Sequence, residues 1–215
     1  CLIFIIKKVQ ILHPKRKDCH LQPVYVKEML VMGLPMGLQF SITAIGSMVM
    51  QSANNGLGSI YVSGFTAGMR IKQFAMCPFD ALANGVSVFC SQNLGAGKIK
   101  RIRKGLWQGV GVGFIYGLLI GLVLIFAGRS LSMLFISADQ TAVLDASAKY
   151  LRCLGFFYWS LGPLSVFRMS AQGMGFSGRA IFSGVTEMIA RTFVSFAFVG
   201  TYGFTAICFA DQTAW

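Results

Sequence analysis

Polar side chains recur at helical spacing within a long, otherwise apolar segment between residues 63 and 91. Their spacing alternates between three and four positions, so they share one face of an α-helix. In a bilayer, such a row of polar groups faces protein or water rather than lipid, and it can carry ions or polar solutes. This polar stripe consists of Ser63, Thr66, Arg70, Gln73, Cys77, Asp80, Asn84, Ser87 and Ser91.

Arg70 and Asp80 are the charged residues of the polar stripe. A charge inside a membrane span is costly, so it is a functional candidate by default. A straight helix places these two about 15 Å apart, too far for a direct ion pair. For Asp80, proton coupling, a structural ion pair and a carboxylate at the wet end of a long helix all stay open. Lys72 points away from the stripe, and we expect it to pack against another helix or to snorkel.

A second set of charges occurs nearer the C-terminus of the chain. Glu187 and Arg191 are four positions apart, in the order that favours an ion pair on a helix. Because the pair would neutralise itself, we expect a structural clasp rather than an ion relay. Arg168 is a candidate partner for Asp80 or Glu187.

An earlier apolar segment carries its own polar row, with Gln39, Thr43, Ser47 and Gln51 at intervals of four. The 11 Met and 19 Phe of the chain would supply adaptable apolar walls, although most must fill the core or face lipid. The candidate residues for a transport cavity or for ion coupling are Gln39, Thr43, Ser47, Arg70, Gln73, Asp80, Asn84, Arg168, Glu187 and Arg191.

The composition indicates the helices that must position these residues. The chain is 55% hydrophobic, its mean hydropathy is +0.65, and only 12% of its residues are charged. Soluble domains carry about 25% charged residues. No charge occurs from residue 29 to 69 or from 105 to 128, and a spanning helix needs only about 20 apolar residues. We therefore predict an all-α, multi-pass transmembrane bundle.

Five complete spans and the start of a sixth can be placed. Pro35 and Pro78 predict bends, and glycine at every fourth position from Gly105 to Gly121 predicts a groove for a neighbouring helix. Residues 1–27 are interpreted as the end of a preceding span and a basic cytoplasmic linker, so the chain would be a piece of a longer protein. The predicted spans cover residues 28–51, 60–93, 106–127, 143–174 and 181–200, with a further start at 205–215.

The net charge of +12 comes largely from basic clusters between the spans. Clusters at 7–27 and 98–104 are typical of cytoplasmic loops, whereas the turn at 52–59 and an interfacial segment at 129–142 would lie outside. Contact with anionic lipid is expected for both clusters, and nucleic-acid binding is not.

Motifs for enzymes and metal sites are missing from the sequence. It contains no GxSxG, HExxH or Walker loop, and no CxxC. His13, Cys19 and His20 lack the spacing of metal ligands, so a solvated linker is the preferred interpretation. We expect no enzyme activity, no metal and no cofactor.

Several segments together resemble the multidrug and toxic compound extrusion (MATE) family. The run from Gln92 to Lys98 is the most specific, and residues Pro35, Gln92, Asn93, Gly95 and Gly97 are the structural positions of the shared motifs. The matching segments are Gly33-Leu-Pro-Met-Gly37, Ala67–Ile71, Gln92-Asn-Leu-Gly-Ala-Gly-Lys98, Phe167-Arg168, Ala171-Gln-Gly-Met-Gly175, Glu187–Arg191 and Ala214-Trp215.

The resemblance implies one six-helix lobe of a twelve-helix antiporter, with the five spans as helices seven to eleven. It implies a missing N-terminal lobe as partner, Na⁺ or H⁺ as coupling ion, and small cationic or amphipathic organic substrates. Many members carry an acidic residue eight positions after the proline, where this chain has Thr43, and the aspartate that some members use in span four is also missing. Their cation site is therefore not carried over.

The function implied by the resemblance is an ion-coupled exporter of small organic compounds in the cytoplasmic membrane. A lipid-linked oligosaccharide flippase of the same broad superfamily is one alternative, since Arg70, Arg168 and Arg191 could hold a diphosphate. A non-transporting subunit of a membrane assembly is another.

Overall fold

The computed structural model describes residues 22–215, and every regular element in that range is an α-helix. The expected all-α fold class is confirmed. The predictions for residues 1–21, including the preceding span and most of the basic linker, lie outside the described part of the chain. The helices are α1 Pro23–Asn55, α2 Ser59–Gly95, α3 Ile99–Ser132, α4 Thr141–Gly173, α5 Ser177–Ala197, α6 Val199–Tyr202 and α7 Phe204–Thr213.

Four of these helices, α1, α2, α3 and α5, are long and apolar enough to cross a membrane. The fourth predicted span corresponds to α4, which has 33 residues but does not meet the same criterion. The sequence of α4 includes four charged residues, which make the helix less apolar: Asp145, Lys149, Arg152 and Arg168. Its length is therefore the property that indicates a span.

Helix α3 begins earlier than predicted and corrects the assignment of the second basic cluster. The turn at Gly97, which has a φ of 69°, ends α2, and α3 then starts at Ile99. Lys and Arg are good helix formers, so Lys100–Lys104 form the first turns of the helix rather than a loop. At its other end α3 continues to Ser132, which shortens the predicted interfacial segment to the turn at 133–140.

Pro35, Pro78 and Pro163 all lie inside continuous helices. The bends at Pro35 and Pro78 stay predictions.

Small residues allow the helices to approach closely. A Cβ placed on Gly121 of α3 would lie 2.6 Å from the carbonyl oxygen of Gly155 on α4. On α2, a Cβ on Gly64 would lie 2.8 Å from that of Ala146. The glycine row of α3 therefore contacts the backbone of α4, in agreement with its expected packing role.

The bundle has two parts with a polar seam between them. In one part α3 and α2 pack on α4, and in the other α1 packs on α5. Helix α7 contacts both α4 and α5, and its Ile207 is fully buried in a core that also contains Phe79, Tyr150 and Tyr158. This arrangement brings the polar faces of α1, α2, α4 and α5 toward one another.

Candidate functional site

A cavity of about 410 Å³ lies between the two parts of the bundle. Drug-sized ligands occupy pockets of about 300–1,000 Å³. Every candidate residue except Arg70 and Asn84 lines it, together with Lys72 and with Trp215 from the segment after α7. The lining consists of Gln39, Phe40, Thr43, Ser47, Met69, Lys72, Gln73, Met76, Cys77, Asp80, Leu161, Leu164, Ser165, Arg168, Met169, Gln172, Glu187, Arg191 and Trp215.

Arg70 and Asn84 lie elsewhere on α2. Arg70 lines a separate cavity with Ser63, Thr66 and Gln140, between α2 and the turn that precedes α4. Asn84 is exposed, and its Nδ2 donates to the backbone carbonyl of Asp80 at 2.7 Å. The structure therefore does not bring these two side chains into the central cavity.

A chain of ion pairs runs from the cavity wall into the core. The Arg168 guanidinium lies 3.2 Å from Oε2 of Glu187, and Oε1 of Glu187 lies 2.7 Å from Arg191. Arg191 is also 3.3 Å from Oδ1 of Asp211, whose Oδ2 accepts a hydrogen bond from Lys72 at 2.5 Å. The predicted Glu187–Arg191 pair is present. Of Asp80 and Glu187, the two partners proposed for Arg168, the structure pairs it with Glu187.

Asp211 is the charged residue of the site that the sequence reasoning missed. It is fully buried on α7 and also accepts a hydrogen bond from the Tyr150 hydroxyl at 2.8 Å. Of the two placements expected for Lys72, the structure therefore shows packing against another helix, which is α7. A signal existed, because a lysine within an apolar helix requires a carboxylate from another one, and Asp211 is acidic and follows an apolar run.

Hydrogen bonds fix α1 against the rest of the cavity wall. Nε2 of Gln172 on α4 donates to Oε1 of Gln39 at 2.5 Å. Arg191 on α5 donates to the Ser47 hydroxyl at 2.9 Å. The polar row of α1 therefore faces protein, as its spacing predicts.

Asp80 is exposed at the cavity and makes no ion pair with any residue in the range 22–215. It therefore pairs neither with Arg70, in agreement with the expected separation, nor with Arg168. A carboxylate in this position is open to a cation that enters the cavity.

The polar stripe of α2 lies on the open side of that helix. From Ser63 to Asn84 its members are exposed, whereas Ser87 is half-buried and donates to the carbonyl of Met169 at 2.7 Å. Several of these side chains donate hydrogen bonds to backbone carbonyls of their own helix, as the Thr66 hydroxyl does to the Val62 carbonyl at 2.8 Å. The stripe thus continues the cavity wall onto the surface of this lobe.

Asn93 and Gly97, two of the motif positions at the end of α2, have surroundings typical of structural residues. Asn93 is buried and its Nδ2 donates to the Phe89 carbonyl at 2.8 Å, while Gln92 is exposed. Gly97 has the positive φ that favours glycine.

Within residues 22–215, no group of three or more His, Cys, Asp or Glu side chains could hold a metal ion. The weak metal-ligand candidates His13, Cys19 and His20 lie outside that range.

A polar, charged cavity inside an apolar helical bundle is typical of membrane transport proteins, and comparison with known proteins identifies the family. The MatE family model matches residues 35–197, which is most of the chain. The chain therefore belongs to the MATE family of multidrug efflux transporters.

Relatives with curated names agree with this family. The chain is 28% identical over 178 residues to the probable multidrug resistance protein YpnP of Bacillus subtilis (strain 168), an alignment that covers 83% of this chain and 38% of YpnP. It is 26% identical over 120 residues to the probable multidrug resistance protein YoeA of the same organism, covering 54% of this chain and 26% of YoeA. The chain thus spans well under half the length of these relatives.

Solved structures show the same fold. A crystal structure of MATE in complex with MaL6 superposes with a TM-score of 0.89 at 16% identity, over 99% of this chain and 49% of that one. A MOP superfamily transporter from Pyrococcus furiosus Vc1 superposes with a TM-score of 0.80 at 16% identity, over 87% of this chain and 42% of that one.

Proposed function

We propose that this chain is the C-terminal lobe of an ion-coupled antiporter that exports small organic compounds, cationic or amphipathic in character, across the cytoplasmic membrane. Its partners would be a second lobe of the same polypeptide, the lipid bilayer and the transported molecules. The coupling ion would be Na⁺ or H⁺. Membership of a multidrug efflux family supports the proposal, and the lobe accounts for less than half the length of its relatives.

The observation that carries the proposal is the central cavity. It has a volume of about 410 Å³, and Met and Phe side chains line it beside charged and amide groups. Adaptable apolar walls suit varied substrates, and a few polar groups orient them. The exposed stripe of α2 continues this surface to where a second lobe would face it.

Asp80 is the proposed coupling group of this lobe. Glu187 and Asp211 each have two cationic partners, so releasing either to bind an ion would leave buried positive charges unpaired. Asp80 has no such partner in the described range. Acidic groups of the second lobe are the alternative source of coupling.

The flippase alternative requires a strongly cationic cavity for diphosphate. The cavity carries no net positive charge, because its three cations are matched by three carboxylates, and Arg70 lines a different cavity. The cations are Lys72, Arg168 and Arg191, and the carboxylates are Asp80, Glu187 and Asp211. The geometry therefore favours an exporter of organic cations or amphipaths.

The test is efflux of a fluorescent organic cation by the full-length transporter in proteoliposomes. We expect efflux to require an inward gradient of Na⁺ or H⁺ and to stop when an ionophore collapses that gradient. Efflux that continues unchanged without any gradient would contradict the antiport proposal. Vesicles with the transporter heat-denatured before reconstitution provide the background rate.

A further inference from the structure

A second cavity, of about 620 Å³, lies between α2 and the turn at 133–140, apart from the central one. Its polar wall consists of Ser63, Thr66 and Arg70 on α2 and of Ser137 and Gln140 in the turn. Among the described residues that line it, Arg70 is the only charged one, so this lining has a net charge of +1. The second cavity therefore differs from the central cavity, where carboxylates balance the cations.

Arg70 keeps its charge available. It has no carboxylate partner among residues 22–215, whereas Arg129, near the end of α3, pairs with Asp145 at 3.4 Å. A guanidinium is permanently charged and offers five N–H donors. Such a charge on a membrane-spanning helix is costly unless it meets water or an anion. The guanidinium is thus placed to bind an anionic group that enters the second cavity.

Neighbouring groups favour an anion with several oxygen atoms. The hydroxyls of Ser63 and Ser137 and the amide of Gln140 are exposed in the cavity and can donate hydrogen bonds, whereas the Thr66 hydroxyl already donates to its own helix. Gln140 is also the N-cap residue of the 33-residue helix α4, so the positive end of that helix dipole adjoins the cavity. Arginine binds phosphate through two parallel hydrogen bonds, and the hydroxyls can reach its remaining oxygens.

The rest of the lining is apolar. Ile136 and Val143 are each 8% exposed and form a small core cluster with Ala67, and the more exposed Phe135 lines the same cavity. Small-molecule sites measure about 300–1,000 Å³, so the second cavity has room for more than a bare ion. A cationic wall beside an apolar wall suits a phosphate that carries an organic substituent.

We propose that the second cavity binds a phosphate ester, with the phosphate oxygens on the Arg70 guanidinium and on the hydroxyls of Ser63 and Ser137. The organic substituent would contact Phe135 and Ile136. A phospholipid headgroup and a soluble phosphate ester share this chemistry. The inference does not depend on the proposed export function, because the two cavities have no lining residue in common.

The experiment measures binding to the full-length transporter in a non-ionic detergent, with one ligand for each source. Isothermal titration calorimetry follows glycerol 3-phosphate, a soluble ester. Native mass spectrometry counts the bound molecules of phosphatidylglycerol, with diacylglycerol as the phosphate-free control. Arg70→Gln should weaken binding of the ester at this site about tenfold, the size of one charge-assisted contact. Arg70-dependent binding of the lipid alone identifies a headgroup site, and of glycerol 3-phosphate alone a site for a soluble ester.

Three further variants separate a specific site from general electrostatics. Arg70→Lys keeps the charge but not the two parallel hydrogen bonds, so it should lose less than Arg70→Gln. Gln140→Glu places a carboxylate in the cavity and should weaken binding although Arg70 is intact, and an acidic residue at a helix N-terminus does not disturb α4. The matched control Arg129→Gln removes an exposed positive charge outside the cavity and should change binding less than about threefold.

Absence of binding of both ligands to the unmodified protein would overturn the inference, and it is the result expected if a carboxylate of the second lobe pairs with Arg70. Equal losses in Arg70→Gln and Arg129→Gln would also overturn it, because they would indicate a diffuse effect of charge. Unchanged binding in Gln140→Glu would exclude the second cavity as the site. If Arg70-dependent binding is found but no compound is exported under any ion gradient, the export function fails while the phosphate site stands.

Discussion

At the scale of single residues, the molecule separates structural charges from available ones. Burial and neighbouring groups make this separation. Asp211 has Lys72, Arg191 and Tyr150 within hydrogen-bonding or ion-pair distance, whereas Asp80 is exposed and has no ion-pair partner among residues 22–215. In the sequence, both carboxylates lie within predicted membrane segments. Only their surroundings assign them different roles.

Lys72→Met should destabilise the protein, because Asp211 would lose its 2.5 Å partner in a dry environment. Breaking a buried ion pair costs about 3–5 kcal/mol, and removing both charges costs much less. We expect a clear fall in the melting temperature of the full-length protein in detergent for Lys72→Met, and recovery of most of it in Lys72→Met/Asp211→Asn.

The matched control is the exposed pair of Arg129 and Asp145, which are 3.4 Å apart with side chains 49% and 65% exposed. Arg129→Met should cost less than about 1 kcal/mol. A melting temperature for Lys72→Met as high as that of Arg129→Met would contradict the structural role of the buried pair.

Asp80→Asn should reduce gradient-driven efflux of an organic cation at least about tenfold while leaving the melting temperature unchanged, since no ion pair in the described range is broken. Initial efflux rates in proteoliposomes measure this effect. Asp145→Asn, a change at the exposed start of α4, should retain full activity. Full activity of Asp80→Asn would assign coupling to the second lobe.

At the scale of helices, close backbone contact explains the glycine pattern. The glycine row of α3 lies against α4, and backbone atoms of α4 occupy the space that side chains on Gly117 and Gly121 would need. Gly111, on the same helix, has no neighbouring atom within 4 Å of the position that a Cβ would take, so it does not belong to the contact. The spacing of glycines thus identifies a contact surface, and the structure identifies its partner.

Gly121→Val should separate α3 from α4, because its Cβ would lie 2.6 Å from a backbone oxygen that cannot rotate away. We expect a loss of about 1–3 kcal/mol, typical of overpacking, seen as a lower melting temperature and a lower yield of monodisperse protein. Gly111→Val should leave both unchanged. Equal effects of the two substitutions would exclude a specific packing role for Gly121.

At the scale of the whole molecule, the two packed parts and the cavity between them form a lobe with one open polar face. The stripe of α2 lies on that face rather than in the core, because Phe65 and Phe79 on the opposite side of α2 are fully buried. A polar face on a membrane lobe must meet water or another polar protein surface. This requirement underlies the proposed second lobe and the proposed path for solutes.

Cysteine labelling in membranes tests that path. In a cysteine-free background, Thr66→Cys, Gln73→Cys and Asn84→Cys should react with a membrane-impermeant thiol reagent, because all three positions are exposed on the stripe. Phe65→Cys, at a position only 1% exposed, should be protected. Protection of all three stripe positions together with labelling of Lys72→Cys would reverse the assignment of faces on α2.

The class of fold, the long helices and the polar faces of α1 and α2 could be predicted from the sequence, because composition and helical periodicity are local properties that a bilayer enforces. The ion pair of Glu187 and Arg191 was predictable for the same reason, since its spacing is local. Partners on different helices emerge only from the packed bundle: Lys72 with Asp211, Gln39 with Gln172, and the exclusion of Arg70 and Asn84 from the cavity. Such pairings depend on how helices distant in sequence pack together, and no spacing along the chain records that.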